Sequence, residues 1–207
     1  MAPAQGPRVL GLTGGIGVGK STAARLLGER GATILDVDQI CKDVIQPGGV
    51  VHEAVVARFG RQIVGADGQL DRAELAKVVF STPEALTDLT NLSHPAANEV
   101  MAEAVAASPG AALVVLDVAV LVEYPRLGRW PGGGYTSVIV VEAPLEVRLS
   151  RLIEQRGMTR EDAEARIKAQ VSDEERRRVA TYVLDNGGDL AALDTRVAAL
   201  WPQLVGG

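Results

Sequence analysis

Apolar residues fall along this chain in two rhythms, short unbroken runs and longer stretches at helical spacing. Residues 8–13 (RVLGLT) form a compact apolar run that ends in glycines, the pattern of a strand buried on both faces. A helix is expected over about 20–30, with Gly31 as its stop, and residues 33–35 (TIL) read as a second strand leading into Asp36-Val37-Asp38. Strand, glycine-rich turn, helix and strand make a βαβ unit, which implies a parallel sheet.

Between residues 39 and 107 the spacing is almost entirely helical. Residues 50–59 carry apolar positions at helical intervals, and Asp71 followed by Glu74 resembles a capping box. Thr82-Pro83 opens the next helix in the preferred N-cap/Pro order, and Ser108-Pro109-Gly110 ends the stretch. A long helical segment between strands of a parallel sheet suggests a region that covers substrate.

Two strands follow, 112–116 and 138–142, separated by a loop around Gly132. Residues 145–155 are amphipathic, and Thr159 with Asp162 signals another capping box, opening a charged helix to about 170. The charge run 173–178 reads as a solvated helix face. A last short strand (182–184) and a closing helix (190–204) complete the α/β pattern.

Composition narrows the class. With 47% hydrophobic residues in 207, the chain can bury a large core as one domain, and only 3% aromatics favours helices on a sheet over a β-sandwich. A net charge of −5 argues against nucleic acid as a partner, though not against a small phosphorylated molecule. Residues 1–7 lack the basic start and apolar run of a secretory leader. The most hydrophobic stretch, 111–122, is interrupted by Asp117 and too short to span a bilayer, so no membrane association is expected. The single cysteine, Cys41, excludes an internal disulfide, suits a reducing cytoplasmic setting, and reads as a small packed residue.

Candidate chemistry concentrates in Gly14-Gly15-Ile16-Gly17-Val18-Gly19-Lys20-Ser21, a full match to the phosphate-loop pattern G-x-x-x-x-G-K-[ST]. Glycines let successive backbone amides turn inward on an anion, and the helix beginning near Lys20 aims its positive end at the same place. Lys20 can reach the β- and γ-phosphates, and the Ser21 hydroxyl can ligate Mg²⁺. The strand before the loop and the helix after it supply the context the motif needs. The chain is therefore read as gripping a nucleoside triphosphate.

Such loops serve switches, motors and kinases alike. No Asn-Lys-x-Asp guanine-reading tetrapeptide is present. Asp117, after the apolar 113–116, offers the acid that motor-type ATPases place behind a strand. Asp36 and Asp38 follow the second strand, and carboxyl strand ends are where parallel sheets gather ligands, so both are expected beside the loop. A carboxylate there can orient an attacking hydroxyl and accept its proton; Asp38 reads equally as the N-cap of a helix beginning near Gln39. Arg148, Arg151, Arg156 and Arg160 cluster where a mobile lid over the transferring phosphoryl group would lie.

Together these residues resemble the dephospho-CoA kinases. The run Leu12-Thr13-Gly14-Gly15-Ile16-Gly17, then Gly19-Lys20-Ser21-Thr22, is similar to that family's loop, and Asp36-Val37-Asp38 resembles its D-A-D signature. Pro47-Gly48, Phe59-Gly60, Leu70-Asp71-Arg72, Phe80 and His94-Pro95 fall in family order. So do Leu121, Glu123, Arg151, Arg166-Ile167, Gln170, Asn186 and Gly188, and the likeness spans residues 9–188. The chain departs from the family at Ala119-Val120-Leu121-Val122-Glu123, which lacks a proline, and at Ala180-Thr181, where Ala-Asp is usual. Val18 stands for Ser or Ala, and Arg156 lies one residue further from Arg151 than the common spacing.

The resemblance implies a three-layer P-loop kinase fold with a five-stranded parallel sheet. Its core covers about 8–38, 110–150 and 180–205, with an inserted helical CoA-binding region at about 39–108 and a lid at about 151–179. It implies transfer of the γ-phosphate of ATP to the ribose 3′-hydroxyl of dephospho-CoA, with Mg²⁺ as cofactor. Catalysis would fall to Asp38, Lys20 and Arg151. Gly14, Gly15, Gly17, Val18, Gly19, Lys20, Ser21 and Thr22, with Arg156 and Asn186, would bind ATP. Thr13, Asp38, Lys42 (where the family has His or Arg), Arg72, His94 and Glu123 would face the acceptor, His94 reading equally as a structural histidine. The expected assembly is a monomer or weak homo-oligomer. Another P-loop nucleoside or sugar kinase, or a catalytically weak nucleotide- or CoA-binding protein, are the alternatives.

Overall fold

A computed structural model describes residues 7–206. Of residues 1–7, read as lacking the pattern of a secretory leader, all but Pro7 lie outside these. The chain runs from β1 (Arg8–Gly14) through α1 (Lys20–Glu29) to β2 (Thr33–Asp36) and α2 (Val37–Asp43). The helical stretch continues as α3 (His52–Phe59), a 3₁₀ turn (Arg61–Ile63), α4 (Arg72–Val79) and α5 (Pro83–Ala106). Next come β3 (Leu113–Asp117), the short β4 (Arg129–Trp130) and β5 (Gly133–Gly134), and β6 (Ser137–Glu142). The chain closes with α6 (Leu145–Arg156), α7 (Arg160–Lys168), α8 (Asp173–Val179), β7 (Tyr182–Asp185) and α9 (Leu190–Val205).

Five apolar runs pair as parallel strands in the order β2-β3-β1-β6-β7. Alternation along the strands splits the core between two faces. Leu10, Leu12, Val115 and Ile139 pack against α1 and α9, whereas Val114, Leu116, Val138 and Val140 pack with Met101 of α5 and Val37 of α2. The result is the expected three-layer α/β sheet with helices on both sides. One placement differs from the sequence reading. β3 lies between β1 and β2, so the residue flanking the phosphate loop on that side is Asp117, and Asp36 stands one strand further out.

The helices of residues 39–108 build a satellite core of their own around Val55, Phe59, Ile63, Leu75 and Val79. Thr82 caps α5 as expected, its hydroxyl accepting from the Ala85 amide at 3.1 Å. Asp71 and Thr159 supply the cap half of the two predicted boxes. A complete capping box sits instead at Ser172–Glu175, within the charge run. The loop around Gly132 closes on itself as the β4–β5 hairpin. α6 runs unbroken across the 150/151 boundary expected between core and lid. Among the described residues, no helix is long and apolar enough to cross a membrane.

Candidate active site

The phosphate loop leaves β1 at the centre of the sheet and turns directly into α1. Gly19 is the N-cap of α1 with φ +86°, a left-handed conformation that side chains with a Cβ disfavour. Space forbids a side chain there too, since an added Cβ would stand 2.2 Å from Asn186 Nδ2. Asn186 is 5% exposed and donates from Nδ2 to the Val18 carbonyl at 2.7 Å, tying the loop to the segment after β7. The glycines of the loop, Lys20, Ser21 and Thr22 line an open cleft of about 660 Å³, while the Val18 side chain is buried beneath it.

Lys20 donates to Asp117 Oδ1 across the ends of β1 and β3. Burial pushes the Asp117 carboxyl above its ordinary value; Lys20 pulls it down, and the negative charges of Asp38 and Asp36 push it up again. Three carboxylates thus lie within electrostatic reach of one another at the carboxyl edge of β2 and β3. Their roles divide. Asp36 is the N-cap of α2, accepting from the Gln39 amide at 2.9 Å. Asp38 is not a cap; it sits in the first turn of α2, half-buried, and lines the same cleft as the loop. The helix starts two residues earlier than the sequence suggested because Val37 is buried in the sheet–helix core. Next to Asp38 on the same helix, burial raises the Cys41 thiol to about 11, with Asp38 adding and Lys42 opposing, so it is protonated at neutral pH.

The arginine cluster separates into three environments. Arg151 spends its Nη groups on carbonyls, at 3.3–3.4 Å to Gly17 and Val18 and at 2.9 and 3.3 Å to Asn186 and Gly188. Arg156 lines the cleft and has no ion-pair partner among the described residues. Arg160 is turned away, exposed and paired with Glu146 and Glu164. Arg148 is buried: its Nε donates to the Ile16 carbonyl at 2.9 Å and its Nη1 meets Asp173 at 3.0 Å. Burial lowers its pKa, Asp173 opposes, and the neighbouring Arg176 lowers it further. Arg176, 2% exposed, corrects the reading of 173–178 as a wholly solvated face. Its Nη1 reaches the Val171 carbonyl at 2.6 Å and Asp173 at 3.3 Å, while Nε and Nη2 are buried without partners among the described residues.

The expected acceptor residues do not all meet. Thr13 is buried, its hydroxyl donating to the Ala119 carbonyl at 3.4 Å, so it supports the cleft from below. Lys42 and Arg72 are exposed and line neither cavity. His94 and Glu123 line a second cavity of about 530 Å³ between α5 and the loop after β3. There the His94 and Tyr124 rings pack edge to face at 4.8 Å, and burial lowers the His94 pKa. Pro95 inside α5 has no N–H to give, and Asn91, whose carbonyl it would have engaged, also lines this cavity. Asn98 staples the cavity's loop to α5, donating to the Arg126 carbonyl at 3.0 Å and accepting from the Gly128 amide at 2.8 Å. The sequence placed Arg148 in the lid cluster and Asp173 and Arg176 on a solvated face, and charge alone offered no signal that the two arginines are interior.

Similarity to known proteins extends over nearly the whole chain. Residues 8–192 match the family model described as dephospho-CoA kinase. A dephospho-CoA kinase of Thermobifida fusca is 41% identical over 195 residues, 94% of this chain and 95% of that one. The crystal structure of TT1252 from Thermus thermophilus superposes with a TM-score of 0.77 at 35% identity, covering 97% of this chain and 99% of the other. A dephospho-CoA kinase structure from Campylobacter jejuni, at 20% identity and a TM-score of 0.62 over 97% of this chain and 99% of that one, shares the fold. Motif, architecture and full-length similarity agree: the chain belongs to the dephospho-CoA kinase family.

Proposed function

We propose that this chain transfers the γ-phosphoryl group of ATP to the ribose 3′-hydroxyl of dephospho-CoA, giving CoA and ADP. The observation that carries this reading is that Lys20 and Asp38 line one cleft together with the loop glycines, while Asp117 pairs with Lys20. The acceptor 3′-oxygen attacks the γ-phosphorus, the bond to the β,γ-bridging oxygen breaks, and the hydroxyl proton passes to Asp38. Lys20 leaves Asp117 to meet the β- and γ-phosphates, and Arg156 closes on the equatorial oxygens. Arg151 and Asn186 hold the loop in its phosphate-binding shape.

The donor set suits Mg²⁺. Ser21 is an exposed hydroxyl in the first turn of α1, and Asp117, paired with the adjacent Lys20, would offer a hard carboxylate oxygen; Mg²⁺ in phosphotransferases needs only one or two such ligands plus phosphate oxygens and water. When bound, the ion would neutralise charge on the phosphates.

Dephospho-CoA is long, and the second cavity gives it room beyond the reacting ribose. His94, Tyr124 and Trp130 offer aromatic surface, and Arg126 and Arg129 offer cations free of carboxylate partners among the described residues. We place the reaction in the cytoplasm, in keeping with the single cysteine of the chain. The test incubates purified protein with Mg·ATP and dephospho-CoA, and separately with nucleoside and sugar acceptors, following ADP and product by mass. CoA formation is expected. ADP release with another acceptor only, or binding of both ligands without turnover, overturns the reading.

A further inference from the structure

Ile16 stands at the crown of the phosphate loop, four residues before Lys20, and both of its backbone polar groups are held from outside the loop. Its carbonyl accepts from Arg148 Nε at 2.9 Å, and its N–H donates to Gln170 Oε1 at 2.8 Å. The Ile16 side chain packs with Leu149, Leu152, Ala163 and Ile167, so the crown is fixed against α6 and α7.

This contact dictates how the Gln170 amide faces. Only the oxygen of a primary amide can accept from a backbone N–H, so Oε1 is the arm turned to Ile16. The other arm, Nε2, carries two N–H groups with no partner among the described residues, and Gln170 lines the cleft with Gly15, Gly17 and Lys20. A neutral donor is thereby held beside the loop by a hydrogen bond that leaves its N–H groups free. Preorganised donors aimed at developing charge are effective because they need no reorientation during reaction.

We infer that Gln170 is a catalytic residue, donating from Nε2 to a γ-phosphoryl oxygen while Oε1 keeps the loop crown in place. This rests on the cleft being the site of ATP-dependent transfer. The competing possibility is that Gln170 only pins Ile16.

Two variants separate these. Gln170→Glu keeps an oxygen for the Ile16 N–H and loses the donor while ionised; Gln170→Met loses both. The measurements are kcat at saturating Mg·ATP and dephospho-CoA, ATP Kd by calorimetry, and melting temperature. At pH 8 both variants are expected to lose at least about tenfold in kcat, with Gln170→Glu melting close to wild type. As pH falls to 5 the ratio of Gln170→Glu to wild-type kcat should rise measurably, because about a sixth of a carboxyl of ordinary pKa is then protonated and regains an O–H donor. Gln170→Glu within twofold of wild type at pH 8, or a flat ratio across the range, overturns the inference and leaves Gln170 as a pin. Absence of turnover in wild type itself would instead overturn the functional reading, and the inference with it.

Discussion

Lys20 and Asp117 form an ion pair that joins the helix after β1 to the end of β3, 97 residues apart in sequence. The pair restrains Asp117, whose burial raises its carboxyl pKa and whose neighbours Asp36 and Asp38 raise it further. Lys20→Ala should reduce kcat below about a tenth of wild type, the loss of a cation at the transferring group being worth several kcal/mol. It should also leave Asp117 with no opposing charge. A raised carboxyl pKa contributes stability that is present at low pH and lost as pH rises through the folded value. The melting deficit of Lys20→Ala relative to wild type is therefore expected to be larger at pH 7 than at pH 4, checked by thermal melts at both.

Asp36 and Asp38 should separate cleanly. Asp36 caps α2 through the Gln39 amide, so Asp36→Ala is expected to cost about 1 kcal/mol of stability. Asp38 makes no cap bond, so Asp38→Asn should melt like wild type and bind ATP normally. Its kcat should fall at least roughly a hundredfold, because an amide is a far poorer proton acceptor than a carboxylate. Chemical denaturation and steady-state kinetics on both variants check this; near-normal turnover in Asp38→Asn would move the base to Asp117.

Arg151 and Arg156 are expected to fail differently. Removing Arg151 strips donors from four carbonyls that join the phosphate loop to the segment after β7. Arg151→Ala should lower the melting temperature and weaken ATP binding. Arg156 lines the cleft without an ion-pair partner among the described residues, so Arg156→Ala should lower kcat with little change in stability. Calorimetric ATP titration alongside kinetics distinguishes the two patterns.

His94 gives a pH dependence of the opposite sign to Asp117. Burial lowers its pKa from the ordinary 6.5, so its contribution to stability is present above that value and lost as pH falls through the folded one. Between pH 7.5 and 5 wild type should lose melting temperature relative to His94→Gln. A constant difference across that range would show that His94 is accessible enough to protonate without strain.

Local signals carried much of the fold. Strand runs, the Thr82 cap and the loop between a strand and a helix could all be read residue by residue, because each depends on neighbours in sequence. Strand order could not, and β3 slipping between β1 and β2 is what brings Asp117 to Lys20. That Asp38 would lie in the cleft with the phosphate loop was legible, but the start of its helix was not, since Val37 is drawn in by tertiary burial. The Ser172–Glu175 box was present in sequence yet hidden among charges. Arg148 and Arg176 are interior because the phosphate loop lies against them, a relation no periodicity reports. Gln170 appeared only as one member of a family order; its geometry became visible once Ile16 was placed.

The order of strands also sets when the site comes into being. Val18 is tied to Asn186, 168 residues later, and Ile16 to Gln170, 154 later, while Arg8 on β1 donates to the carbonyls of Gln203 and Leu204 near the end of α9. Contacts so remote along the chain carry a loop-closure cost and form late in folding. A chain emerging from the ribosome thus shows its phosphate-loop motif first and acquires a shaped loop last, once β7 has joined the sheet. Nucleotide affinity would then wait on the segment after β7, and a nascent chain halted before Asn186 would carry the whole motif without the grip it encodes.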